Sequence, residues 1–573
     1  MNKHKVDAVT VEIVGNLLLT IAEEIGISII KSAYSSNIKE RRDISAAVFD
    51  PEGNLVAQAE HVPMHLGSLL SIVKEVYNKY PPEAIQRGDM FIGNDPYNGG
   101  GTHLPDITIV APVFAGERLI GWVANLAHHS DVGGKVPGST SGDAVSIYQE
   151  GIKIPISKIC RQDEVNEEIV DFIMTNSRIP EERYGDLHAQ MASNRVGVRR
   201  LLEAYEQYGE TLVLSMAQLQ NYAERRLRAG IEKLQDGEYS FTDYMDDAGA
   251  ASPDPIKLTV KITIQGDAME LDFAGSQPQV NGPINVTYNG LLATVFYSIK
   301  ALIDPDIYSN AGIYRAFTIK AEPGLIINAR NPAPVGARID TCMRVSDVIF
   351  GAMAPLVPER AIAGCNSSCT TAVFSGYDPR DPDQFYVYLE TIAGGSGASR
   401  RADGLNGVQV HLTNTSNLPI EALEMEFPLV IVREYSLIED SGGAGEYRGG
   451  LGIRREFESR FDQVTFTGLG DRQKFLPWGL NGGGEGAGGV YQLKRADNSV
   501  ERLPSKCTEI VLNRGDRIVI HTPGAGGYGN PADRDPSLVL KDVIEKKTSI
   551  RQAKEKYGLQ IIQTPQGYQI AQQ

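Results

Sequence analysis

Residues 94–134 read NDPYNGGGTHLPDITIVAPVFAGERLIGWVANLAHHSDVGG, and this stretch decides how the N-terminal half is built. Asp106–Phe114 and Arg118–Ala127 are rich in Val, Ile, Leu and aromatic residues, and Ala115-Gly116-Glu117 between them is a turn sequence. The pair is therefore a β-hairpin. Three of the nine histidines of the chain, His103, His128 and His129, gather around its open end with Asp95, Asp106 and Asp131. Pro105 puts His103 and Asp106 on a turn entering the first strand. With a three-residue turn, Phe114 stands opposite Arg118 and Asp106 opposite Leu126, on the face that carries His128. A two-residue turn shifts the face and substitutes His129, and the sequence leaves that choice open.

Two imidazoles and a carboxylate at a strand end suit a divalent cation such as Zn²⁺, Mn²⁺ or Fe²⁺, and three protein ligands with open positions make a catalytic arrangement. The competing reading is a pair of hydrogen-bonded core histidines beside turn-forming aspartates. It is served equally well by the shared face of His128, Ile120, Trp122, Ala124 and Leu126.

Outward from the hairpin, the spacing of Ile13, Leu17, Ile21 and Ile25 predicts a helix over residues 6–34. Ile44–Phe49 and Leu55–Ala59 form a second hairpin around Asp50-Pro51-Glu52-Gly53, and Leu69–Tyr80 is helical. Residues 164–234 are mainly helical. After Asp236, segments such as KLTVKITI and FPLVIVREYSL are strands, and 25 of the 59 glycines fall between Gly394 and Gly529, which reads as a strand assembly with many tight or left-handed turns. Residues 536–557 close the chain as a helix with a polar tail. The expected fold class is α+β, mixed and multi-domain. A metal-site region spans residues 1–235, a β-rich, glycine-rich region 236–530, and a C-terminal helix and tail 531–573.

Composition narrows the function. The 573 residues carry 55 basic and 72 acidic side chains, a net charge of −17, which argues against a nucleic-acid partner. No run reaches the ~18 uninterrupted apolar residues of a membrane helix, and the N-terminus lacks the pattern of a signal peptide. Five scattered cysteines do not make a disulfide framework, so a reducing cytoplasm is expected. Cys365 and Cys369 are four apart, but no second pair completes a zinc site. Gly484–Gly489 and Gly524–Gly529 satisfy G-x-G-x-x-G outside the strand–helix setting that gives the pattern meaning, and there is no P-loop or nucleophile elbow.

In Asn37-Ile-Lys-Glu-Arg-Arg-Asp43-Ile-Ser45, Arg41 and Arg42 could clamp an anion and Asp43 could add a ligand, although a charged turn at a helix end explains the segment as well. His61 and His65, with Pro63 between them, read as structural histidines.

The segments NIKERRDISAAVFDPEGNLVAQAEHVPMHLGS (37–68), GDMFIGNDPYNGGGTHLPDITIVAPVF (88–114), AHHSDVGG (127–134) and HTPGAGGYGNP (521–531), in that order, resemble the hydantoinase B/oxoprolinase family. The resemblance implies a subunit of an ATP-dependent cyclic amidohydrolase, working with a hydantoinase A-type partner. That partner uses ATP to phosphorylate the carbonyl oxygen of a hydantoin, 5-oxoproline or lactam. It further implies one divalent metal, zinc or manganese, held by Asp43, His103, Asp106 and His128. His129 or Asp131 would orient a ligand or move a proton, Arg41 would contact the phosphoryl group, and the assembly would be a hetero-oligomer such as α2β2. Acetone and acetophenone carboxylases belong to the same wider group, so a ketone carboxylase subunit is one alternative. A non-catalytic scaffold for the ATP-binding partner is another.

Overall fold

The computed structural model describes residues 6–59 and 61–571. The first five residues of the N-terminus considered as a leader, and the last two of the polar tail, lie outside the described residues. The architecture is α+β, with helices and hairpins in the N-terminal half and several sheets in the C-terminal half. The chain divides into two units. One runs to Tyr239 and takes up Lys261–Arg338 and Asn414–Ser416; the other comprises Ser240–Val260, Ile339–Thr413 and the chain from Asn417 onward.

In the first unit, seven antiparallel strands form one sheet: β1 (Ile44–Phe49), β2 (Leu55–Gln58), β3 (Met90–Gly93), β4 (Asp106–Ala115), β5 (Arg118–His128), β6 (Ser157–Arg161) and β7 (Glu164–Val165). Their spatial order is β2-β1-β5-β4-β3-β6-β7. The helices are α1 (Ala8–Ser32), α2 (Ser36–Lys39), α3 (His65–Ser68), α4 (Ile72–Lys79), α5 (Glu167–Thr175), α6 (Pro180–Tyr208) and α7 (Glu210–Ile231), followed by Tyr288–Ile303. Side chains of α1 and α6 pack on one face of the sheet and those of α4 on the other. With both faces covered, β1 and β2 are buried along their whole length instead of alternating.

Asp7 starts α1 by accepting the Thr10 N–H at 3.0 Å. The buried stripe is Val14, Leu18, Ile21, Ala22, Ile25 and Ile29, whereas Ile13, expected on it, is 49% exposed. A strict four-residue step drifts about 40° per step around a helix, so the stripe mixes steps of three and four. Among the described residues only α1 is long and apolar enough to cross a membrane by length and composition; here its stripe is packed in the core.

The hairpin register differs from the expected one. The turn has two residues, Gly116 and Glu117, so Ala115 faces Arg118 and Phe114 faces Leu119. That alone would have turned His129 toward Asp106. A bulge next to Phe114 then leaves Ile120 unpaired, Val113 faces Gly121, and Asp106 stands directly opposite His128. Gly121 is required at this point, because a Cβ there would lie 2.6 Å from Phe49 O on the neighbouring strand.

The second unit contains two antiparallel sheets, one built from Thr371–Asp378, Asp381–Thr391, Val464–Leu469 and Lys506–Leu512, the other of five strands from Val430–Leu437 to Arg517–His521. The helix Arg338–Met353, which runs into this unit, was not foreseen, nor was Tyr288–Ile303. The expected closing helix is two shorter ones, Pro536–Ile544 and Ile550–Tyr557, and the tail folds into a hairpin, Ile561–Thr564 with Gly567–Ile570. The glycines also serve a different purpose from the expected one. Of the 25 between Gly394 and Gly529, only Gly407, Gly482, Gly515 and Gly529 have positive φ. Most of the others let backbone meet backbone: a Cβ at Gly449 would lie 1.9 Å from Ala525 O.

Candidate metal centre

Asp106 opens β4 in complete enclosure, and the loop before it folds back onto its carboxylate. Oδ2 accepts from Thr102 N at 3.3 Å, Thr102 Oγ1 at 3.1 Å and the Arg338 guanidinium at 3.0 Å. Gly101 makes the fold-back possible: its φ is +67°, and a Cβ there would lie 2.5 Å from that of Asp106. Oδ1 faces His103 Nε2 at 3.1 Å and His65 Nε2 at 3.8 Å. His65 Nε2 also stands 3.9 Å from Asp43 Oδ1. Donor atoms of His103, Asp106 and His128 all lie within 4.8 Å of one another. The cluster thus joins the end of β5, the start of β4, the loop before β1 and the short helix α3.

The tautomers follow from the outer hydrogen bonds. Ser45 Oγ gives its proton to Ile44 O at 2.8 Å, so at 3.1 Å from His65 Nδ1 it accepts. His65 therefore carries its proton on Nδ1 and turns the Nε2 lone pair toward two carboxylates. Likewise His103 Nδ1 donates to Gly336 O at 3.1 Å, leaving Nε2 as a lone pair against Asp106 Oδ1. Electron-rich atoms so placed need a proton or a cation between them. The proton is disfavoured on His103, whose pKa is lowered by burial and by the Arg338 charge. His128 is held well below the ordinary imidazole value by burial and by His103. Burial alone would raise the Asp106 carboxyl, but His103 and Arg338 outweigh it and keep it well below the usual carboxylate range. Ligands about 2.0–2.2 Å from one cation stand roughly 3–4 Å apart, which the contacts at 3.1, 3.8 and 3.9 Å match. The residues present fit a divalent cation.

Behind the donors stand positioning groups. Asn37 Nδ2 lies 3.1 Å from His128 Nδ1 and donates to His128 O at 2.8 Å, its amide oriented by Arg41, which donates to Oδ1 at 2.8 Å. Arg41 is 1% exposed and its guanidinium makes this buried contact, whereas Arg42 is exposed. Glu150 accepts Gly336 N at 2.7 Å and Val335 N at 2.9 Å, bracing the carbonyl that orients His103, and burial raises its pKa to about 8.

His129 and Asp131 are placed elsewhere. Gln190 donates its amide to Ile107 O and Asn125 Oδ1, so its Oε1 accepts from His129 Nε2 at 2.9 Å, on the α6 side of the sheet. Asp131 accepts from the backbone of Gly133, Gly138 and Arg178 and from the Arg178 guanidinium, shaping its loop; none of these bonds reaches the cluster. His65, Arg338, Glu150 and Asn37 received no role from sequence reasoning. His65 sits in one of the motif segments and could have been noticed there. Arg338 is 232 residues from Asp106, and no local pattern announces it.

A family model described as hydantoinase B/oxoprolinase matches residues 7–531. The chain belongs to that family. It is 39% identical to an uncharacterised protein of Methanocaldococcus jannaschii, over 97% of this chain and 96% of that protein. It is 32% identical to a putative B-type component of a D-/L-hydantoinase from a Pseudomonas species, over 97% of this chain and 96% of that one. Among solved structures, the ATP-dependent caprolactamase from Pseudomonas jessenii superposes with a TM-score of 0.91 at 30% identity, covering 98% of this chain and 97% of that chain. A nucleotide-free acetone carboxylase gives the same TM-score at 19% identity, covering 99% of this chain and 81% of that one, which shows a shared fold. As a hydantoinase B/oxoprolinase family member, this chain thus has one relative named as a hydantoinase subunit and another named as an ATP-dependent caprolactamase.

Proposed function

We propose that this chain is the metal-dependent subunit of an ATP-dependent cyclic amidohydrolase. Its substrate is a hydantoin, 5-oxoproline or lactam phosphorylated on the carbonyl oxygen by an A-type, ATP-using partner in a hetero-oligomer such as α2β2. The observation that carries the reading is the pair of imidazoles, His65 and His103, with Nδ1 protons committed outward and Nε2 lone pairs turned on buried carboxylates. Asp43, His65, His103, Asp106 and His128 would hold the cation. When bound, a divalent cation supplies Lewis acidity and makes water nucleophilic at neutral pH.

The protein's own part is positional. Ser45 and Gly336 fix the two imidazoles, Arg338 and Thr102 fix Asp106, and Asn37 holds the backbone carbonyl of His128. The Asp43 side chain, 14% exposed against 2% for His65 and none for Asp106, marks the open side on which substrate arrives. O-phosphorylation turns a resonance-stabilised amide into an imidate-like carbon. Addition of water there and cleavage of the ring C–N bond, with a proton delivered to nitrogen, leave an acyl phosphate; a second water then attacks it to give the ring-opened acid and free phosphate. The five cysteines, none of them in a disulfide, suit a reducing cytoplasm.

The test is co-expression with the ATP-binding partner, followed by phosphate release and product analysis over hydantoins, 5-oxoproline and lactams. Ring opening that requires ATP supports the reading. Incorporation of labelled bicarbonate into a ketone without any ring opening overturns it in favour of a carboxylase. Undiminished turnover by Asp106→Ala reduces the chain to a scaffold.

A further inference from the structure

The second unit contains another convergence of ligand-type side chains. Asp347 comes from the helix Arg338–Met353, Cys365 from the segment that follows, and His411 from a loop further along the chain. Their donor atoms lie within 4.8 Å of one another, and all three residues are buried. Asp347 Oδ1 is 2.8 Å from His411 Nε2, close to the roughly 3 Å that separates adjacent ligands of a single cation. The surroundings resemble those of a coordinated set. The other Asp347 oxygen accepts from Arg472 at 2.6 Å, and the Gly397 N–H donates to Cys365 Sγ at 3.2 Å. Carboxylate ligands are commonly hydrogen-bonded from outside in this way, and amide-to-sulfur bonds tune bound thiolates. Ala363 O lies 3.9 Å from Sγ, within the reach of a weak thiol hydrogen bond. Met343 and Val410 line the cysteine, and Phe350 meets the His411 ring edge-on at 5.2 Å. His411 itself has φ +49°, a conformation a non-glycine residue keeps only where its surroundings hold it.

We propose that Asp347, Cys365 and His411 form a second cation site, distinct in its ligands from the Asp43–His128 centre and selective for a borderline-soft divalent ion of the zinc class. The thiolate sets the selectivity: nitrogen and oxygen donors alone, as in the first centre, also serve manganese, whereas sulfur favours zinc. Enclosure of all three side chains suits an ion that ties the helix to two loops. Cys365 thus finds its co-ligands far along the chain, in a histidine and a carboxylate, and Cys369 is not among them.

The test is Co²⁺ titration of the full-length chain after chelator treatment. Only a cysteine-ligated ion gives a near-ultraviolet sulfur-to-cobalt charge-transfer band, so the two centres are read separately. The band and a second equivalent of Co²⁺ are expected in the unaltered chain. Both should vanish in Cys365→Ser and His411→Ala, and the band should persist in Cys369→Ser and Asp106→Asn. Absence of the band in the unaltered chain, or its survival in folded Cys365→Ser, overturns the proposal. Should those variants not fold, X-ray absorption on the zinc-loaded unaltered chain decides: a Zn–S distance of about 2.3 Å upholds the site, and nitrogen and oxygen scatterers alone overturn it.

Discussion

Glu150 touches no proposed ligand, yet the geometry makes it a determinant of cation affinity. Its two oxygens accept Gly336 N at 2.7 Å and Val335 N at 2.9 Å, and the Gly336 carbonyl receives His103 Nδ1 at 3.1 Å. Glu150→Gln preserves the shape but keeps only one acceptor, turning an amide NH2 against the other backbone N–H. One lost hydrogen bond and one buried, unsatisfied donor cost about 1–3 kcal/mol. Passed on through Gly336, that is enough to release His103 from its orientation. Loss of such outer support lowers metal affinity about 10–100-fold, or roughly 1.4–2.8 kcal/mol, the same size as the local cost. The assay is competition for Zn²⁺ or Mn²⁺ between the folded variant and a chromophoric chelator. A variant that loses stability by the expected amount but binds metal within about twofold of the unaltered chain would refute the reasoning, because Glu150 would then brace the loop without acting on His103.

Other outcomes follow from the same structure. His65→Ala should weaken cation binding by more than about tenfold, whereas a purely structural histidine would lower stability and leave affinity unchanged. The Glu150 pKa is raised from 4.5 to about 8, so the native state holds a proton that the unfolded chain has released. The stability this group contributes is present at acid pH and lost as pH rises through that window, so the melting-temperature gap between the unaltered chain and Glu150→Gln should narrow from about pH 5 to pH 8. His129 runs the other way. Burial first, and the Arg183 charge next, lower its pKa from 6.5 to about 4, so its contribution is full above that range and lost on acidification; His129→Gln should flatten the acid limb of stability between those values. Gly101→Ala forces a Cβ to 2.5 Å from that of Asp106 at a φ of +67°, and denaturant titration should register a loss of about 1–3 kcal/mol together with weaker cation binding.

Local physical chemistry was enough to read the hairpins, α1 and the helical run to residue 231, because apolar periodicity and turn residues act within a few positions. The same information placed His103, Asp106 and His128 at one strand end. It could not establish which face His128 occupies, since a turn one residue shorter than expected and a bulge at Ile120 each reverse the face and together restore it. Nor could it separate glycines that turn the chain from glycines that admit a neighbouring backbone, because the neighbour, Ala525 O in the case of Gly449, is distant in sequence. The remainder of the site depends on long-range packing. His65 became a donor-site residue only when α3 met the start of β1, Arg338 reached Asp106 across most of the unit, and Arg41 was enclosed against Asn37. The sequence by itself determined which residue types were available and how the nearest of them were spaced. Only the tertiary structure decided which lone pairs face the same point, because that depends on the hydrogen bonds each imidazole makes on its far side.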